Sequence, residues 1–142
     1  MTGTIVYGEN DRLIGWASRV IGFTPRPDAQ AIGWQEGEDL RAVVIWDGFS
    51  PCDCNIHIAS DGTRTWMRRA FLKTAFMHPF AQWNMRRVTG LVPSKNTIAL
   101  QFDLHLGFQV EGTVRHALPD DDIILLGLLR EDCRWIPEKY RR

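Results

Sequence analysis

Residues 62–96 contain seven basic side chains (Arg64, Arg68, Arg69, Lys73, Arg86, Arg87 and Lys95) and no acid. Such a segment suits an anionic ligand, either a phosphorylated cofactor or nucleic acid. The plainer alternative is a solvated face that lacks acids. The island opens with Asp61-Gly62-Thr63-Arg64-Thr65-Trp66, which the pattern places between a strand and a helix. A loop that feeds a helix presents unpaired N–H groups and the positive end of a dipole. A phosphate or pyrophosphate is the expected occupant, with Arg64, Arg68 and Arg69 pairing with its oxygens. Neither G-x-x-x-x-G-K-[ST] nor G-x-G-x-x-G occurs.

The second chemical cluster is Cys52-Asp53-Cys54-Asn55-Ile56-His57. With Cys133 it raises the question of zinc, but C-x-C-x-x-H is not a common spacing. On a strand, period two puts Cys52 and Cys54 on one face and His57 on the other. Buried structural thiols and no metal are therefore expected. Asp53, His57, Asp47 and Glu111 are candidates for proton transfer. A tyrosine hydroxyl is available only at Tyr7 and Tyr140. His78 and His116 are expected at the surface or in packing. Trp34, Trp46 and Trp83 should pack, while Trp66 could stack on a base or line a cleft mouth.

The elements that must position these groups follow from periodicity. Thr4–Tyr7 is a strand, and a helix begins at Asn10 or Asp11 with Leu13, Ile14, Ala17 and Ile21 on one face. Ala31–Trp34, Leu40–Trp46 and Cys54–Ala59 are strands of an antiparallel sheet. A helix is predicted from Thr65 to about His78, ended by Pro79. Arg86–Val92 is a strand, parallel to 54–59 if the crossover is ordinary. Asn96 caps a helix that stops at Gly107. Phe108–Leu118, with Phe108, Val110 and Val114 on one side, turns through Pro119–Asp122 into Ile123–Leu129. The class is α/β with a mixed sheet.

The chain has 142 residues, with 17 Lys+Arg balanced by 17 Asp+Glu. That length suits one domain, 1–142, with 136–142 as a tail. The stretch Ile123–Leu129 is too short to span a bilayer, and no secretory pattern opens the chain. Three cysteines are too few for a disulfide framework, so a cytoplasmic setting is the default.

The run Asn96-Thr-Ile-Ala99-Leu-Gln-Phe102-Asp103-Leu-His-Leu106-Gly107-Phe108-Gln-Val-Glu111-Gly112 resembles the GNAT superfamily of N-acetyltransferases. Their chains carry N-x-x-A-x-x-[LF]-Y-x-[KR]-L-G-F followed by E-G. The resemblance spans about 4–130. The segment E-G-T-V-R (111–115) is similar to the subgroup that acetylates protein N-termini. The ending at 130–135 is similar to small GNAT proteins encoded by bacteriophages. The resemblance implies a mostly antiparallel sheet with flanking helices and one splayed parallel pair. Acetyl-CoA would lie between strands 54–59 and 86–92, its pantetheine arm paired with backbone around Ile58. Its pyrophosphate would meet Gly62, Thr63, Arg64, Thr65, Trp66, Arg68 and Arg69, and Asn96 would bond the pantetheine region. An amine would attack the thioester directly.

Two positions depart from the family pattern. The family loop reads [QR]-x-x-G-x-[GA], and only Gly62 matches clearly. The usual tyrosine acid falls on Asp103, which can serve only if its pKa is strongly raised. The catalytic candidates are thus Asp53, His57 and Asp103. Two other readings use the same scaffold: a nucleic-acid-binding or -modifying protein, with Arg86, Arg87 and exposed tryptophans on the strand, and a non-catalytic CoA-binding module. The acceptor cleft would be shaped by about 11–30 and 115–125. Asp28 and Asp120-Asp121-Asp122 there favour a cationic amine. The apolar final strand could extend the sheet across a homodimer.

Overall fold

Leu40–Trp46 is apolar at nearly every position, which only a strand covered on both faces can accommodate. In the computed structural model, which describes residues 3–142, this segment forms the inner strand β3 (Asp39–Asp47). The remaining strands are β1 (Gly3–Val6), β2 (Gln30–Glu36), β4 (Asp53–Ser60), β5 (Arg87–Pro93), β6 (Gln109–Leu118) and β7 (Asp121–Leu129). They form one sheet in the order β1-β2-β3-β4-β5-β7-β6. Every neighbouring pair is antiparallel except β4 and β5, which run parallel as the crossover requires.

Helix α1 (Asn10–Ile21) covers one face. Its Leu13 and Ala17 pack with Ala31, Val43, Ile45 and Ala59. The other face is covered by α2 (Arg69–Met77) and α3 (Thr97–Leu106). There Phe71, Phe76 and Leu106 pack with Val44, Trp46, Cys54, Ile56, Val88 and Leu126. The odd residues of β4 therefore face α1, and the even ones face α2 and α3. Cys54 and His57 point to opposite faces. Cys52 precedes the strand and is exposed, while Cys133 is buried. Burial pushes the Cys54 thiol up to about 12 and the Cys133 thiol to about 11, so neither is a nucleophile at neutral pH.

The structure corrects the sequence reading at five places. Helix α2 begins at Arg69, four residues later than expected. Trp66 is the reason: its indole is 2% exposed and packs edge-on against Phe71 and Phe102. Its Nε1 donates to Thr63 O (2.8 Å) and Ser60 Oγ (3.1 Å), which bends 63–66 out of helix. That burial overturns the expected adenine stacking, since no ring face is free. Truncating it (Trp66→Ala) should cost about 3–5 kcal/mol, read as a lowered urea midpoint.

Pro79 ends the α-helix, but the chain continues in a wide π-turn, His78–Gln82, where the missing proline N–H is not needed. In β6, Val110 and Val114 are 54% and 47% exposed while Phe108 is buried. Bulges at Val110/Gly112 and Val114/Leu118 shift the register. The apolar β7 is an inner strand, and β6 is the edge, so β7 has no free side with which to extend the sheet to a second copy. Finally, 136–142 is not loose. Ile136 is buried, Arg141 donates to its carbonyl, and Trp135 Nε1 donates to Leu106 O (2.8 Å). No described helix is long and apolar enough to cross a membrane.

Candidate active site

The parallel pair is held at only three positions: Asp53↔Arg87, Cys54↔Val88 and Asn55↔Thr89. Cys52 O accepts from Arg87 N, and Asp61 N donates to Arg41 O in β3. Alternation along β4 therefore turns the backbone groups of Ile56, Ile58 and Ser60 toward β5. Beyond Asn55 no described strand pairs with them on that side. A V-shaped gap lies there, edged by strand backbone that can bond an extended amide-bearing molecule. Ile58 is in this edge.

The gap leads to residues 61–68. This loop spends its first N–H groups on itself. Gly62 N donates to Ser60 Oγ (3.0 Å) and Thr63 N to Asp61 Oδ1 (3.0 Å). The Thr65 hydroxyl donates to Glu36 Oε1 (3.0 Å). The N–H groups of Gly62 and Thr63, expected to face a phosphate, are engaged here, and so is the Thr65 hydroxyl. The free donors lie one turn later. The N-terminus of α2 has Arg68 as its cap, no side-chain acceptor and no acid in its first turn. Its first N–H groups, with Arg64 and Arg69, form a positive pole. Neither arginine is paired with an acid among the described residues. Arg68 is partly occupied, donating to Thr65 O (3.0 Å) with its guanidinium over the Trp34 ring.

Glu36 is the anchor that the sequence reading missed. It is a buried carboxylate accepting from Trp34 Nε1 (3.2 Å), Thr65 Oγ1 (3.0 Å) and Arg41 Nε (3.2 Å). The Trp34 hydrogen bond, with help from Thr65 and Arg41, holds its carboxyl below the usual range despite desolvation. Arg41 also grips Asp61 (3.0 Å). The β2–β3 hairpin thereby fixes both ends of the loop. An exposed-looking Glu in a turn gives no signal of this in one sequence.

On the far side of the gap, Asn96 Oδ1 caps α3 by accepting from Ala99 N (3.2 Å). Asp103 lies two turns later and is half-buried. Its Oδ2 would be 3.3 Å from a Cβ on Gly90, whose backbone is just past the last β4–β5 pair. Desolvation, with no partner to offset it, pushes the carboxyl up to about 7. A substantial share of Asp103 is therefore protonated at neutral pH.

The α1 face holds two further sets. His57 Nε2 lies 2.8 Å from Asp47 Oδ1. Asp47 is buried, and its other oxygen accepts from Arg26 N (3.0 Å). A carboxylate only accepts, so Nε2 carries the hydrogen, and in the neutral ring Nδ1 is the acceptor. Phe23 packs over the ring at 4.7 Å. The second set is Asp53, which accepts from Thr89 Oγ1 (2.9 Å) and lies 3.6 Å from Arg87 Nε. Arg87 in turn bonds Glu111 (2.8 Å), and the pair lies flat over Gly127, where a Cβ would collide with it. Asp53 and Glu111 are thus engaged at the closed end of the V, while His57 is two residues past the last pair.

Of the acids expected to attract a cationic acceptor, Asp28, Asp121 and Asp122 also have structural duties. Asp121 accepts from Lys95 N (2.9 Å), Asp122 N (2.8 Å) and Ser94 Oγ, and Asp122 accepts from His116 N (2.8 Å). Asp28 accepts from Gly48 N (3.0 Å) and Phe49 N (2.9 Å).

This sheet with its splayed parallel pair is the fold of the GNAT N-acetyltransferases. No family model and no curated protein matches the chain. Solved structures do. Spermidine/spermine N-acetyltransferase SpeG from Vibrio cholerae superposes with a TM-score of 0.71 at 12% identity, over 89% of this chain and 92% of that one. Ard1 from Thermoplasma volcanium gives 0.68 at 16% identity, over 91% and 98%. The N-acetyltransferase PseH from Campylobacter jejuni, solved in complex with acetyl coenzyme A, gives 0.59 at 10% identity, over 73% and 70%.

Proposed function

We propose that the protein is an acetyl-CoA-dependent N-acyltransferase that moves an acetyl group to an amine. The observation that carries this reading is the V-shaped gap between β4 and β5, which leads to the uncapped, arginine-flanked N-terminus of α2. The backbone of Ile56, Ile58 and Ser60 would take the pantetheine amides, and the first turn of α2 with Arg64 and Arg69 the pyrophosphate. The thioester would supply the activated acetyl group. His57, steadied by Asp47, removes a proton from the attacking amine on the α1 face. The amine nitrogen bonds to the carbonyl carbon and the C–S bond breaks. Asp103, reaching the gap from α3, gives its proton to the leaving sulfur. Asp53 is tied to Thr89 and Arg87 and holds the closed end of the V. The acceptor is an amine. The neighbours that act on spermidine suggest polyamines as the first acceptors to assay.

Calorimetric titration with acetyl-CoA and a thiol-release assay over an amine panel test the reading. Saturable binding is expected, with thiol release only when an amine is present. No binding at millimolar acetyl-CoA would overturn it. Binding without thiol release on any amine would leave a CoA-binding module instead. Loosening the loop anchor by Glu36→Gln or Thr65→Val is expected to raise KM for acetyl-CoA about 3–10-fold with little change in kcat. Thr65→Ser should restore it.

A further inference from the structure

A second cavity, of about 1000 Å³, opens at the end of the sheet where β4 and β5 begin. It shares no lining residue with the gap. Its walls are aromatic: Tyr7, Trp46, Phe49, His78 and Trp83 all line it. They support one another. Trp46 stacks on His78 (5.1 Å), which stacks on Tyr7 (6.2 Å), and Trp83 stands edge-on to Trp46 (5.2 Å) and Phe49 (5.1 Å).

Two features separate this from ordinary packing. The Trp46 Nε1 is the one buried side-chain polar atom without a hydrogen-bond partner among the described residues. An unpaired buried donor is unfavourable. The rim is also acidic. Glu9, Asp11 and Asp28 line it, and the one arginine there, Arg12, is already paired with Glu9 (3.2 Å). Asp28 is held ionised by the N–H groups of Phe49 and Gly48. Asp11 has no ion-pair partner among the described residues. Aromatic faces with negative quadrupoles beneath a net negative rim select a cation with an apolar skin. The same rim repels phosphates and carboxylates.

We infer that this cavity binds a small organic ammonium ion, its head group against the Tyr7 and Trp83 rings and its charge facing Asp11. The site stands whether or not the acetyltransferase reading does.

The test is a titration of the full chain with choline and with its uncharged isostere 3,3-dimethylbutan-1-ol, following the indole N–H signals of Trp46 and Trp83 by NMR. Choline is expected to saturate, with the alcohol about 5-fold weaker or more. Tyr7→Ala and Asp11→Asn, both at exposed positions, should each weaken choline about 3-fold. Equal affinity for the two compounds would reduce the site to an apolar hole and overturn the proposal. So would shifts that never saturate, or affinities unchanged in both variants. None of these outcomes depends on acetyl-CoA binding.

Discussion

Asp103→Asn is expected to lower turnover about 10²–10⁴-fold at pH 7, the range typical of a lost general acid. Asparagine keeps the shape and loses only the transferable proton. The loss should therefore shrink when the acetyl donor is an aryl thioester, whose thiolate leaves without protonation. A merely structural defect would depress both donors equally. The same substitution makes an opposite prediction for stability. The folded chain holds the Asp103 proton to about pH 7, whereas an ordinary aspartate gives it up near 3.8. Between those values the folded state binds more protons than the unfolded one. The Asp103 contribution to stability therefore falls as pH rises from about 4 to about 7 and is not regained above. Asparagine has no such slope. Thermal melts should show Asp103→Asn more stable relative to the wild type at pH 8 than at pH 4. An enzyme that loses activity yet gains alkaline stability has surrendered a group kept for chemistry. Full activity in Asp103→Asn with acetyl-CoA would remove Asp103 from the reaction.

His57→Ala should cost a comparable factor, about 10²–10⁴ in kcat/KM for the amine, with acetyl-CoA affinity nearly unchanged. The imidazole is 16% exposed and held through Nε2 by a buried carboxylate, so its free Nδ1 has a defined direction. Added imidazole should restore part of the lost rate, because a small base can occupy the vacated space beside Phe23. Asp47→Asn should cost less, about tenfold, since it loosens the ring without removing it. If His57→Ala leaves kcat/KM intact, proton removal belongs to another group. Asp53 is then next, and Thr89→Val, which frees its carboxylate, becomes the informative variant.

Most of the framework was legible because its signals are local. The apolar run of β3, the alternation in β4, the Asn96 cap and the Gly107 stop each declare an element within a few residues. The parallel β4–β5 pair followed from one crossover. The misreadings came from long-range packing. Nothing near Trp66 says that Phe102, on another helix, will bury its indole and delay α2. Nothing near Val114 announces the bulge that puts it on the opposite sheet face from Val110. The site divides the same way. The basic island and Asp103 stand out by composition and by a missing tyrosine. By contrast, the Asp47–His57 bond joins neighbouring strands, and the Glu36–Thr65 anchor spans 29 positions. Those pairings exist only once β2, β3 and β4 are aligned. The turn bonds of Asp121 and Asp122 stayed hidden for a related reason: charge is visible in a sequence, but the amides that hold it in place are not.

The three-rung seam between β4 and β5 has a mechanical meaning. Strands β1–β4 form one leaf of the sheet and β5–β7–β6 the other. Each leaf has long antiparallel ladders inside it, and only that short seam of sheet bonds joins the two. The leaves are bound in the manner of a book near its spine, open along the fore-edge. A molecule that lies in the opening and bonds to the free margin of β4 takes the place of the missing rungs. It should slow amide exchange at the seam residues Cys54 and Thr89 as well as along the margin itself, and raise the melting temperature with its concentration. For such a sheet, occupancy completes the architecture.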